Sequence, residues 1–194
     1  MIILASKSPR RKQLLLESGF EFVVRQFEVD ESYPKYLKKQ EVPLYLSRKK
    51  AEFYSDPLHD VVLICADTIV CVDDKILNKP EDFEDAYRML KMLSGRMHEV
   101  YTGVTLRRDD EYHSFYERTE VYFKSLSGDE IEKYIKHFRP YDKAGAYGIQ
   151  EWIGFVGVEK IVGCYYNVMG MPVSRLYKEL LHFHPKISKS LVFD

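Results

Sequence analysis

Met1-Ile2-Ile3-Leu4-Ala5-Ser6-Lys7-Ser8-Pro9-Arg10-Arg11-Lys12-Gln13-Leu14-Leu15 carries the order of residue types that sets the architecture. A short apolar run of β character stops at two small hydroxyls, and a proline then starts a helix. Ser8 suits the N-cap, Pro9 the first helical position and Gly19 the C-terminal stop. Strand, tight turn and helix N-terminus together make an anion site. Free backbone N–H groups, the positive end of the helix dipole and forked guanidinium groups converge on one spot. Arg10, Arg11 and Lys12 in the first turn oppose ordinary helix electrostatics, which place acids there. A bound anion removes that repulsion, so the pattern points to phosphate.

Strands and helices alternate outward from this unit. Residues 20–25 read as a second strand, followed by an acidic loop with Glu28, Asp30 and Glu31. A helix is expected over about 43–55, opened by Pro43. Val61-Val62-Leu63-Ile64-Cys65-Ala66 is a continuous apolar run, the mark of a strand buried on both faces, and it is expected to stop at Asp67-Thr68. Residues 69–72 and 75–77 flank Asp73-Asp74 as a hairpin. Phe83, Ala86, Tyr87, Leu90 and Leu93 repeat at helical spacing between Pro80 and Gly95. Two long strands are expected over 100–107 and 112–124, then a helix opened by the capping box Ser127-Gly128-Asp129-Glu130. Strand candidates at 153–156 and 160–164 precede a last helix over 172–182. No repeat or linker interrupts the pattern. The expectation is a single α/β domain over 1–184 with a loosely attached tail over 185–194. Its fold class is a mixed twisted β-sheet flanked by helices, in two lobes around a central cleft.

The 194 residues carry a net charge of only −1, which argues against stable nucleic-acid binding and leaves room for a small phosphorylated ligand. No apolar run reaches the length of a membrane span, and residues 1–5 are too short for a signal-peptide core. Cys65, Cys71 and Cys164 form no C-x-x-C pair, which suits a reducing, cytoplasmic compartment.

Asp67 is the sharpest chemical candidate. An ionisable side chain directly after six apolar residues sits where open α/β sheets place ligands, and a carboxylate there binds a divalent metal or takes a proton from water. Glu31 gains meaning if folding brings it near Asp67, because paired carboxylates share a Mg²⁺. Arg48-Lys49-Lys50 by itself reads as a solvated helix face, and Lys79, just before a helix, is within reach of a phosphate. Gly145-Ala146-Tyr147-Gly148-Ile149-Gln150 allows close backbone approach to a ligand or simply a tight loop. Neither a Walker A loop nor G-x-G-x-x-G occurs, which disfavours kinase-type and P-loop chemistry. The histidines show no metal-ligand spacing, and His98 reads as structural.

Taken in order, these segments resemble the Maf family of house-cleaning nucleoside triphosphate pyrophosphatases. The resemblance rests on Leu4-Ala5-Ser6, Ser8-Pro9-Arg10-Arg11, Ala66-Asp67-Thr68, Lys79-Pro80, Leu93-Ser94-Gly95-Arg96, Tyr101-Thr102-Gly103-Val104, Thr119-Glu120-Val121, Asp142 to Gln150 and Val168-Met169-Gly170-Met171-Pro172. It implies a fold related to the inosine triphosphate pyrophosphatases, a homodimer, and hydrolysis of a nucleoside triphosphate to the monophosphate and pyrophosphate. A divalent cation (Mg²⁺, Mn²⁺ or Co²⁺) is the implied cofactor. By motif position Asp67 looks like the general base, and Arg10, Thr68 and Gln150 look like the residues that set base specificity. Ser6, Arg11, Lys50 and Lys79 resemble the phosphate-binding shell, with Glu31 and Asp67 on the metal. Gly148-Ile149-Gln150 resembles the branch acting on dTTP and UTP. The 7-methyl-GTP branch and a non-catalytic, nucleotide-sensing regulator of septum formation are the alternatives. Asn78 and Glu151-Trp152 depart from the usual pattern.

Overall fold

β1 (Ile2–Ala5) is buried at every position and lies between two parallel neighbours, β2 (Phe22–Arg25) and β3 (Val62–Val72). The structure, a computed structural model, describes residues 1–190. Between β1 and β2 runs α1 (Pro9–Glu17), whose N-cap Ser8 accepts a hydrogen bond from the Arg11 N–H; Gly19, at φ 76°, then turns the chain. α2 (Glu41–Phe53) leads into β3. Then come β4 (Lys75–Leu77), α3 (Phe83–Leu93), β5 (Met97–Arg108), β6 (Glu111–Phe123), α4 (Gly128–Phe138), α5 (Trp152–Gly157), β7 (Val158–Val162), α6 (Tyr165–Val168) and α7 (Val173–Phe183). The seven strands form one mixed sheet in the order β2-β1-β3-β5-β6-β7, and β4 also pairs with β3. The expected α/β class and mixed sheet are both present.

Alternation along β3 divides the molecule into layers. Val62, Ile64 and Ala66 pack with Leu14 and Leu15 of α1 and with Leu176 and Leu180 of α7. Farther along the same face, Val70 and Val72 meet Leu90 of α3 and Ile131 of α4. On the opposite face α2 covers Cys65 with Ala51, and Ile69 and Cys71 with Val42 and Leu46. One face therefore carries two separate helical groups, and a single helix spans the other.

Register locates the opening between those groups. β1 pairs with β3 only as far as Ala5 opposite Cys65, and β4 joins the same edge only at Leu77 opposite Val70. Among the described residues, no strand thus lies beside residues 66–69 of β3 on that edge. Their other edge stays fully paired with β5, Asp67 opposite Gly103 and Thr68 opposite Thr102. A Cβ on Gly103 would lie 2.4 Å from the backbone of Pro43, so glycine is what lets α2 rest directly on β5.

Several expectations change. The apolar run does not end at Asp67; β3 continues to Val72, because β5 keeps the polar step in the ladder. α2 begins at Glu41, two residues before Pro43. Pro43 falls in the first turn, where its missing N–H costs no helical hydrogen bond. Residues 153–156 lie in the short α5 rather than a strand, with Ile153 buried and Phe155 79% exposed. A short apolar run fits either state, and no sheet edge receives this one. The segment after α7 is a 3₁₀ turn over Pro185–Ser190 that buries Ile187 in the core, while residues 191–194 lie outside the described residues.

Candidate active site

The gap on the β3 edge opens into a cleft of about 510 Å³, a volume suited to a small ligand. Because the sheet is breached there, side chains from both of its faces reach one space. Asp67 points to the α2 side and Thr68 to the α1 side, yet both line the cleft with Ser6, Arg10, Arg11, Glu31, Lys50, Lys79 and Gln150. The sequence-predicted site residues, scattered from position 6 to position 150, are all brought together.

A ladder of alternating charge runs along one wall. Lys50 Nζ, from α2, lies 2.6 Å from Asp67 Oδ1 and 2.9 Å from Glu31 Oε1. Glu31 Oε2 in turn lies 3.3 Å from Lys79 Nζ. Burial by itself would raise the Glu31 carboxyl, but Lys50 and Lys79 outweigh it and hold the group below the usual range. Helical geometry explains why Lys50 alone of its basic trio enters the cleft. Its neighbours turn away: Arg48 stacks over Tyr112 and pairs with Glu52, and Lys49 pairs with Asp30.

The opposite wall is built from α1 and the 142–151 loop. Arg10 Nη1 lies 2.8 Å from Asp142 Oδ2, and Lys143 Nζ lies 2.7 Å from Asp142 Oδ1 and 3.1 Å from Glu151 Oε1. Burial works to raise Asp142, yet Lys143 and Arg10 keep it low. Gln150 is different. Its side-chain carbonyl oxygen is buried and has no hydrogen-bond partner among the described residues.

Arg11 holds the floor. Its Nε donates to Gly170 O at 2.8 Å, Nη1 to Ala66 O at 2.9 Å and Nη2 to Thr68 Oγ1 at 2.9 Å. The Ala66 carbonyl lies in the unpaired stretch of the β3 edge, so a guanidinium replaces the missing strand. From Thr68 the hydroxyls continue inward: Thr68 Oγ1 donates to Thr102 Oγ1 at 2.9 Å, and Thr102 Oγ1 donates to Asn167 O at 3.0 Å. Ser6 Oγ accepts the Ser8 N–H at 3.1 Å, fixing the turn before α1. Sequence reasoning assigned Arg11 to phosphate. In the structure three of its donors bind protein acceptors, and burial draws the group downward against the pull of Asp67.

Glu31 and Asp67 present carboxylate oxygens on either side of the Lys50 ammonium. Hard oxygen donors in this number suit a Mg²⁺-class cation, which takes one or two carboxylates and completes its shell with phosphate and water. Among the described residues no group of three or more His, Cys, Asp or Glu forms a full protein cage. Lys143, Glu151, Asp142 and Tyr134 were missed as a connected set. Asp142 and Lys143 lie in a quoted motif and Glu151 was noted as a departure, but pairing across a loop leaves no periodic signal. His98 is structural as expected. It is fully buried, its Nε2 lies 2.7 Å from Tyr147 Oη, and burial pushes the ring down to about 3.

Comparison with known proteins identifies the family. A family profile described as "Maf-like protein" matches residues 1–183. A dTTP/UTP pyrophosphatase of Cytophaga hutchinsonii is 52% identical over 187 residues, covering 96% of this chain and 86% of that protein. Proteins of the same name from Phocaeicola vulgatus and Parabacteroides distasonis are 51% and 49% identical, each covering more than nine-tenths of both chains.

Proposed function

The chain belongs to the Maf family, and from that premise we propose that it hydrolyses dTTP and UTP to the monophosphate and pyrophosphate. The observation that carries this reading is the convergence of Arg10, Lys50 and Lys79 on one cleft whose base holds Asp67. A nucleoside triphosphate brings about four negative charges near neutral pH. Those oxygens take over the cations from Glu31, and the Ser6 turn offers the N-terminus of α1 as a further anion contact.

Asp67 accepts a proton from a water, or orients it, for in-line attack on phosphorus. The pyrophosphate leaves with its charge balanced by lysine and arginine. Glu31 and Asp67 would hold the divalent cation (Mg²⁺, Mn²⁺ or Co²⁺), whose contribution is charge neutralisation on the phosphates. Base choice rests on Arg10, Thr68 and Gln150. A pyrimidine imide offers an N–H flanked by carbonyls, and the unpartnered Gln150 carbonyl oxygen is an acceptor for that N–H. Arg11 supports the site by fixing Thr68 and the β3 edge.

The same reading makes the enzyme a single Maf-like domain over 1–184, working as a cytoplasmic homodimer without nucleic-acid partners. The near-neutral charge supports the absence of nucleic-acid partners, and the free thiols of Cys65, Cys71 and Cys164 support the compartment. No helix among the described residues is long and apolar enough to cross a membrane. Pyrophosphate release from dTTP, UTP, CTP, GTP and 7-methyl-GTP, each with Mg²⁺, Mn²⁺ and Co²⁺, tests the proposal. Release is expected chiefly from dTTP and UTP. Dominant turnover of 7-methyl-GTP, or binding without turnover of any nucleotide, overturns it.

A further inference from the structure

Glu151 has no part in the chemistry above, yet its carboxylate is engaged at both oxygens. Oε1 lies 3.1 Å from the buried Lys143 ammonium, and Oε2 accepts the Tyr134 hydroxyl. Tyr134 Oη in turn accepts the Gly148 N–H at 3.0 Å, and the Glu151 N–H donates to Gly148 O at 3.0 Å. Residue 148 must be small for this arrangement. A Cβ there would lie 2.7 Å from the Glu151 carboxyl carbon. Both flanks of Gln150 are therefore tied through one carboxylate, while among the described residues the Gln150 carbonyl oxygen itself has no partner to aim it. The other end of the ladder, through Lys143 and Asp142, holds Arg10. Of the three residues assigned to base choice, Arg10 is thus one end of a string of hydrogen bonds and ion pairs, and Gln150 sits in the turn tied at its other end.

We propose that Glu151 is a specificity-positioning residue. Through Tyr134 and Lys143 it fixes the 148–150 turn, presents the Gln150 amide to the pyrimidine edge and holds that turn in register with Arg10. The inference rests on the pyrimidine-nucleotide reading and deepens it. A paired carboxylate between a buried cation and a phenol has few alternative positions, so the turn it anchors is fixed before substrate arrives.

The test compares pyrophosphate release from UTP and GTP by the wild type, Glu151→Gln, Tyr134→Phe, Gln150→Ala and the Glu151→Gln/Gln150→Ala double variant, with Tm recorded for each. Glu151→Gln keeps the size and an acceptor for Tyr134 but removes the charge that holds Lys143. The expected result is a rise of about tenfold in the UTP KM and a similar fall in the UTP-to-GTP kcat/KM ratio, with the smaller effect on kcat. Tyr134→Phe is expected to move the same quantities in the same direction. If Glu151 acts through Gln150, the double variant resembles Gln150→Ala alone.

An active wild type whose single variants keep the UTP KM and the ratio within about twofold overturns the proposal and leaves the pyrophosphatase reading standing. So does a lowered Tm or kcat at an unchanged ratio, or full additivity in the double variant. A wild type that releases no pyrophosphate from UTP removes the pyrophosphatase reading, and this inference with it.

Discussion

The ladder from Asp67 through Lys50 and Glu31 to Lys79 becomes wetter at each end-ward step, with side-chain exposures of 12%, 14%, 47% and 57%. The ladder from Arg10 through Asp142 to Lys143 and Glu151 closes instead on a dry end, at 9% for Lys143 and 17% for Glu151. Both alternate in sign and both face the same cleft. The difference lies in what can replace their pairs. Ion pairs in water are worth little, about 0–1 kcal/mol, so an incoming polyphosphate displaces Glu31 from Lys79 at small cost. A desolvated cation such as Lys143 has no substitute partner, and its pairs behave as framework. One wall is built to be taken apart by substrate and the other to stay as folded.

The largest expected effect comes at the dry foot of the first ladder. Asp67→Asn removes the proton acceptor but keeps the side chain's size and its place opposite Gly103. Steady-state pyrophosphate release is expected to fall by about 10²–10⁴-fold, with nucleotide binding by titration largely retained. Turnover near wild type would show that the ladder's base is electrostatic support and that another group activates the water.

Next in size is Lys143→Met, on the second ladder. It leaves Asp142 to Arg10 alone and Glu151 to Tyr134 alone, both with reduced compensation. Breaking a buried pair from one side costs about 3 kcal/mol, read as a lower denaturant midpoint at unchanged slope. A loss under about 0.5 kcal/mol would place this ladder in the same class as the wet one and erase the contrast.

Much of this architecture is legible in the sequence where the signal is local. Ser8, Pro9 and Gly19 define α1 because capping, a fixed φ and a positive φ are each decided within one turn. Asp67 stands out because a charge interrupts an apolar run. Its position in the middle of a strand was not legible, because the partners that carry β3 onward, β5 and the β4 hairpin, are chosen across distances the local pattern does not encode. Helical spacing could not select Lys50 from Arg48-Lys49-Lys50, since the face of α2 that meets the cleft depends on where Pro43 rests against Gly103. Lys143 and Glu151 are eight positions apart on an irregular loop, so only folding reveals them as partners. The 153–156 run misled for the opposite reason: its composition suits a strand, and no edge accepts it.

The smallest expected effect sits at the wet end of the first ladder. Among the described residues Lys79 pairs only with Glu31, at 3.3 Å, and it is more than half exposed, so Lys79→Met should leave the denaturant midpoint within about 0.5 kcal/mol of wild type. A charge-assisted contact to phosphate is worth more than a solvated ion pair, so the UTP KM should rise by about tenfold. Salt separates this from a structural loss. In the wild type, raising ionic strength weakens substrate capture through every cleft cation; in Lys79→Met the KM should climb less steeply with salt, because one screened attraction is already gone. A KM unchanged at low salt would mean that Lys79 stays with Glu31 when nucleotide binds, and the outer rung would then belong to the framework after all.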